Sequence, residues 1–227
     1  MILISSCTKD EVDVVPELEL SENQLQLIDN FKQVALVQHG FPGKFTYKWK
    51  STMNIFIEGS PTTEHIEKTQ QTINIINSIS TDGFKIQLVS DINKSNTNMF
   101  FGSREAYNEK YAETFPSNST TTAGHFTQIP NINRILDNGV IWIGTDLVNS
   151  ANQNAVIVHE ITHAIGLLSH AVGRLSVINH SLRLDRLIAD FTEIDKEIIR
   201  LLYHPSMNAG FDDDQVDRIL TKILLDQ

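Results

Sequence analysis

Val158-His159-Glu160-Ile161-Thr162-His163-Ala164-Ile165-Gly166-Leu167-Leu168-Ser169-His170 is the stretch on which the reading of this chain turns. With Val156 and Ile157 before it, the run has the apolar spacing of a helix, predicted from about Asn152 to Leu168. Residues four apart on a helix project to the same side, so His159 and His163 can share one metal ion. Imidazole nitrogen suits zinc, and a catalytic zinc usually has three protein ligands and an open position for water. Glu160, next to a ligand, is then the candidate general base for that water. A bare HExxH also arises by chance on amphipathic helices, where it is only a solvated turn. Three features of this run weigh against that. Val156, Ile157, Ile161 and Ile165 make the other faces of the helix apolar. Gly166 stands where a helix feeding a third ligand must bend, and His170 follows it.

Working outward, the strand Val140–Gly144 leads into this helix, and helices follow it at Thr192–Tyr203 and Asp212–Leu225. Gly173 marks the turn beyond it, and Asp212, Asp213 and Asp214 suit a helix N-terminus better than a calcium site. Upstream, the periodicity predicts a helix from Glu22 to about Val37 and a strand from Tyr47 to Glu58 (Trp49, Met53, Ile55, Ile57). A second helix begins at Thr63 as its cap, with Ile66, Ile73, Ile76 and Ile79 as its buried stripe, and ends at Asp82-Gly83. Short strands are expected at Phe84–Val89, Asn98–Gly102 and His125–Ile129, with a long polar surface loop from Arg104 to Ala123 that has room for a helical turn. Trp49, Trp142 and Tyr203 read as core, and His39, His65 and His204 as solvated or capping residues. Strands and helices first, then helices alone, is an α+β order: a mixed sheet lobe before the HExxH helix and a helical lobe after it.

The chain's 227 residues allow one domain, or one domain with two lobes around a cleft. Hydrophobic residues at 41 % and charged residues at 20 % are ordinary for a globular protein that builds its own core. A net charge of -10 with no basic run argues against a nucleic-acid surface. The single cysteine, Cys7, ends a short apolar run, Met1-Ile2-Leu3-Ile4-Ser5-Ser6. That junction resembles the lipobox of bacterial lipoproteins, and the following Thr8-Lys9-Asp10-Glu11 is similar to the acidic export tether of Bacteroidota-type lipoproteins. Met1–Ser6 is shorter than a complete signal peptide, so this reading places the true start upstream. The expected organisation is a signal remnant at 1–7, an acidic tether at 8–22 and one domain at 23–227, its lobes meeting near 169–170. The resemblance implies an extracytoplasmic protein attached to a membrane only through lipid on Cys7.

The central run also resembles the metzincin clan of zinc peptidases, whose pattern is HExxHxxGxxH followed by a methionine-containing turn. His159, Glu160, His163 and Gly166 fall on that pattern, whereas its last position is Ser169 and the histidine comes one residue later, at His170. Ser176-Val177-Ile178 resembles the metzincin turn, with Ile178 in place of methionine, and the interval from His170 to Ile178 is similar to that of matrixin-type members. The resemblance implies zinc held by His159, His163 and His170. It leaves His180 open as an extra ligand, a transition-state donor or a surface residue. Phe191–Tyr203 is similar to the final metzincin helix, and from Tyr47 to Leu225 the chain looks closest to a little-studied bacterial family of metzincin-like domains of unknown function. His125, Phe126 and Thr127 would belong to an edge strand that holds an extended peptide or protein substrate. Implied is a zinc metallopeptidase with Glu160 as general base. Two alternatives stand beside it: a non-catalytic surface binding lipoprotein on the same scaffold, and a zinc-dependent cell-wall amidase.

Overall fold

The computed structural model describes residues 19–39, 42–111, 123–128, 130–146, 150–179 and 188–226. Cys7, most of the 8–22 tether and His180 lie outside them. Four helices begin with reciprocal side-chain caps, which explains why their starts are sharp. Ser21 caps α1 (Glu22–Ala35), Thr62 caps α2 (Thr63–Ile79), Thr192 caps α5 (Glu193–Leu202) and Asp212 caps α6 (Asp213–Leu225). The cap of α2 is therefore Thr62 and not Thr63, because His65 occupies the third helical position and accepts the Thr62 N–H on Nδ1 at 3.2 Å. The buried stripe of α2 is correspondingly His65, Thr69, Thr72, Ile73 and Ile76, and Ile66 is exposed. The Asp212 cap is what the acidic run at that helix start does, and Asp213 and Asp217 also bind Lys32 of α1.

The main sheet has the order β3-β2-β4-β7-β5, from Ile86–Val89, Met53–Gly59, Thr97–Gly102, Gly139–Gly144 and Gly124–Thr127. Its first four strands are parallel and β5 runs antiparallel to β7 at the edge. Parallel strands buried on both faces read as continuous apolar runs, and β7 shows this. Ile141 and Ile143 enter the main core, and Trp142 packs on the opposite face with Phe100 and Tyr107. Tyr107 comes from α3 (Arg104–Lys110), a two-turn helix at the start of the segment expected to be a long loop with room for a helical turn. Helices α2 and α4 (Ser150–Ala164) cover the other face, with α1, α5 and α6 packed beyond.

The predicted strand Tyr47–Glu58 is two strands. Lys48–Trp49 (β1) leaves the main sheet and pairs in parallel with Ile135–Leu136 (β6), a strand too short to have been predicted. The alternation of Trp49, Met53 and Ile55 persists across the break, since all three are fully buried. The α+β expectation holds: six helices and a mixed sheet among the described residues, with only helices after α4.

Candidate metal centre and cleft

Helix α4 is fixed at both ends by side chains from elsewhere in the chain. Near its start, Gln153 accepts from His65 Nε2 at 2.8 Å and donates to the Thr145 carbonyl at 3.1 Å. At its end, the carbonyls that have no helical partner receive side-chain donors. Trp49 Nε1 donates to Ala164 O at 2.8 Å, and the Tyr203 hydroxyl donates to Ile165 O at 2.7 Å. Gly166 then turns the chain at φ +112°, with the Tyr47 carbonyl so near that a Cβ would sit 2.1 Å from its oxygen. Only glycine allows both the angle and the approach.

Beyond Gly166 the chain folds back beneath the helix. The Ala171 N–H donates to Ile178 O at 2.8 Å, which ties the residue after His170 to the Ser176–Ile178 turn. Val177 and Ile178 are buried in the main core. The turn is held from α5 by Asp195, a carboxylate only 3 % exposed. It accepts from Ser176 Oγ at 2.6 Å, from the N–H groups of Val177 and Thr192 at 3.1 Å, and from Arg174 Nη1 at 3.1 Å.

His159, His163 and His170 converge here, their ligand nitrogens all within 4.8 Å of one another. Among the described residues this is the one grouping of three such side chains suited to a single ion. The Nδ1 of His159 lies 2.8 Å from Val177 O and that of His163 lies 2.6 Å from Leu167 O. A carbonyl oxygen can only accept, so both rings carry their proton on Nδ1 and leave a lone pair on Nε2. Those lone pairs face one another: His163 Nε2 is 3.0 Å from His159 Nε2 and 3.3 Å from His170 Nε2. Neutral acceptors so placed repel, and a cation between them removes the repulsion. Two nitrogens bound to one tetrahedral zinc are separated by about 3.3 Å, which is close to the spacing here. The residues thus fit a zinc ion, with carbonyl acceptors holding the two helix-borne rings in the ligating tautomer.

Glu160 points to the same cleft from the buried face of α4, 3 % exposed. Gly124 makes room for it: a Cβ on Gly124 would lie 2.8 Å from the Glu160 Cγ and Oε1 and 2.4 Å from Val156 Cγ1. Burial raises the Glu160 carboxyl to about 8 and lowers the His159 imidazole to about 4. It also holds His163 well below the usual histidine value, with His159 and His170 adding to the effect. Burial alone therefore favours neutral imidazoles, the form that binds metal.

The cleft has a volume of about 420 Å³ and runs along β5. His125, Phe126 and Thr127 line it, as the edge-strand expectation required, and so do Gly124, Gln128, Leu168 and His39. His39 was expected to be a solvated or capping residue. Instead its Nε2 lies 3.3 Å from the Gln128 carbonyl, while its own carbonyl accepts from Tyr47 OH at 2.7 Å. His65 and His204 do cap, the latter accepting the Ser206 N–H at 3.1 Å. Ser169, the residue before His170, lies outside the histidine cluster, and its N–H donates to Val34 O at 3.1 Å.

Sequence reasoning missed Asp195 as the clamp of the turn, Gly124 as the clearance for Glu160, and Gln128. The capping pattern Thr192-x-x-Asp195 was visible in the chain and marks a helix start. Its second pair of contacts, to Val177 and Ser176, is set by tertiary packing alone.

Fold and site define an α+β protein in which a helix packed on the face of a mixed sheet presents two histidines and a glutamate to a third histidine in one cleft. The chain belongs to the family described as a protein of unknown function, DUF2927, which matches residues 24–222. The expectation of a little-characterised family of unknown function holds over nearly the whole described chain. No curated protein matches it.

Proposed function

We propose that this protein is a metzincin-like, zinc-dependent hydrolase that cleaves amide bonds in an extended peptide substrate. The observation that carries the reading is the convergence of three Nε2 atoms, with the Nδ1 protons of His159 and His163 tied to backbone carbonyls. A structural role for the rings would not need two Nε2 lone pairs turned toward each other beside a third imidazole.

His159, His163 and His170 would hold the ion, and a bound zinc would supply Lewis acidity, acidifying water and polarising a carbonyl. A cation held beside Glu160 would favour its carboxylate over the protonated form that burial alone prefers, so that Glu160 takes the proton from the attacking water and returns it to the leaving nitrogen. Its burial in the cleft keeps that proton from bulk solvent. The edge strand β5 aligns an extended substrate through its main-chain groups. The turn at Ser176–Ile178 keeps His159 oriented through the Val177 carbonyl. The Cys7 junction supports an extracytoplasmic, lipid-anchored location for this activity.

The test is Glu160→Gln in the full chain. Elemental analysis should find about one zinc per chain in both wild type and variant. Hydrolysis of a quenched fluorescent peptide library should fall by about 10²–10⁴ in the variant, the usual contribution of a positioned acid–base group. Absence of zinc at any loading, or undiminished hydrolysis by the variant, would overturn the proposal.

A further inference from the structure

The residue that follows β5, Gln128, is in a position that packing does not account for. It lines the histidine cleft, is 8 % exposed, and both atoms of its carboxamide, Oε1 and Nε2, are buried without a hydrogen-bond partner in the described protein. Its main chain, by contrast, is secured, since its carbonyl accepts from His39 Nε2 at 3.3 Å. Tyr47 holds His39 in turn. The backbone is fixed and the side chain is left with its valences open.

A buried polar atom without a partner costs about 1–3 kcal/mol. Leucine or methionine would fill a similar volume at no such cost. The chemistry of the group also restricts what can complete it. A carboxamide offers a donor and an acceptor side by side. A carboxylate ligand would satisfy the donor and repel the acceptor; a cation would do the reverse. A neutral amide carries both a C=O and an N–H, so it can satisfy either atom of the carboxamide without repelling the other.

From this geometry we infer that Gln128 is the specificity-determining group of the cleft and reads a neutral amide of the substrate. The inference rests on the hydrolase reading for its context and names the substrate chemistry of the same cleft. Two sources carry such an amide: a peptide unit (main chain or an Asn or Gln side chain) and the acetamido group of an amino sugar. The first belongs to a peptidase, the second to an enzyme acting on acetylated glycan or its peptide linkage.

The experiment follows the side-chain NH₂ resonances of Gln128 in ¹⁵N-labelled full-length protein, assigned by their absence in Gln128→Leu. The probes are N-acetylalanine N-methylamide for the peptide source and N-acetylglucosamine for the sugar source, each added to saturation or to its solubility limit. Displacement of the Gln128 pair by either probe supports the inference, and the more effective probe identifies the source. No displacement by either overturns it. Gln128→Leu should weaken the effective probe by about ten-fold or more and leave the melting temperature unchanged or raised, as expected when an unpaired buried polar group is removed. A lower melting temperature with unchanged probe binding would make Gln128 a structural residue and overturn the inference. Zinc content and hydrolysis measured on the same samples keep the two readings apart. Zinc and hydrolysis without a Gln128 response overturn only the amide contact; a Gln128 response without zinc overturns only the hydrolase.

Discussion

Two buried polar constellations, one around Lys48 of β1 and one around His163 of α4, are built on opposite principles. Around Lys48, 3 % exposed, charge and hydrogen bonds are met by groups of the protein itself. Its ammonium meets Asp82 at 2.7 Å and the Met207 carbonyl at 2.9 Å, and lies 5.0 Å over the Tyr203 ring. Asp82 also accepts the Phe84 N–H at 3.0 Å. Around His163, the outer nitrogens are satisfied and the inner ones are aimed at each other. Burial disfavours the charged form of Lys48 as it does that of the histidines. Burial therefore does not distinguish them. What distinguishes them is where the valences end: a structural network spends them inside the protein, and a site keeps some for a ligand.

The sharpest way to break this contrast is His163→Ala. It should reduce bound zinc from about one per chain to a level near zero by elemental analysis, and abolish any zinc-dependent rise in melting temperature. Retained zinc in that variant would put the ion elsewhere. Next in size is Asp195→Ala, which leaves Val177 N–H, Ser176 and the Arg174 guanidinium without their buried acceptor. It should lower stability by about 3–5 kcal/mol in urea unfolding and weaken zinc by about 10–100-fold in chelator competition. Unaltered zinc affinity would show that the turn does not position His159. Asp82→Ala tests the closed network: stability should fall by about 3 kcal/mol, because Lys48 is left buried and unpaired, with zinc content unchanged. A loss of zinc here would mean that the two constellations are not separate. The smallest effect is expected for Ile178→Met, a swap of similar volume, at under about 1.5 kcal/mol with zinc binding intact.

Much of this was legible in the chain because it depends on short-range pattern. Helices α1, α4, α5 and α6 appear in their apolar periods and caps, and the i, i+4 spacing of His159 and His163 places both rings on one face of α4. His170 was legible as a third histidine, one residue beyond the family-like position, and the structure brings it and not Ser169 to the cluster. What the chain did not disclose depends on distant partners. The two-residue pairing of Lys48–Trp49 with Ile135–Leu136 has no local signal, so β1 and β2 read as one strand. On α2, Ile73 and Ile76 are buried as expected, but its buried side also carries His65, Thr69 and Thr72: His65 is matched by the distant Gln153, and the two threonines bond to carbonyls one turn back in the same helix. His39 and Gln128 are far apart in sequence and meet only at the cleft. Gly124 is unremarkable in a strand until Glu160 is seen against it.

The backbone of the single residue Val177 has a consequence of its own. Its N–H belongs to the Asp195 carboxylate of α5 and its C=O to the His159 imidazole of α4, so one residue is a shared joint between the two helices. Tilting α5 drags the joint and rotates the imidazole; an ion gripping that imidazole pins the joint and stiffens α5. The docking of α5 and the occupancy of the histidine cluster thus form one equilibrium viewed from its two ends, and each is felt at the other by an equal amount of free energy.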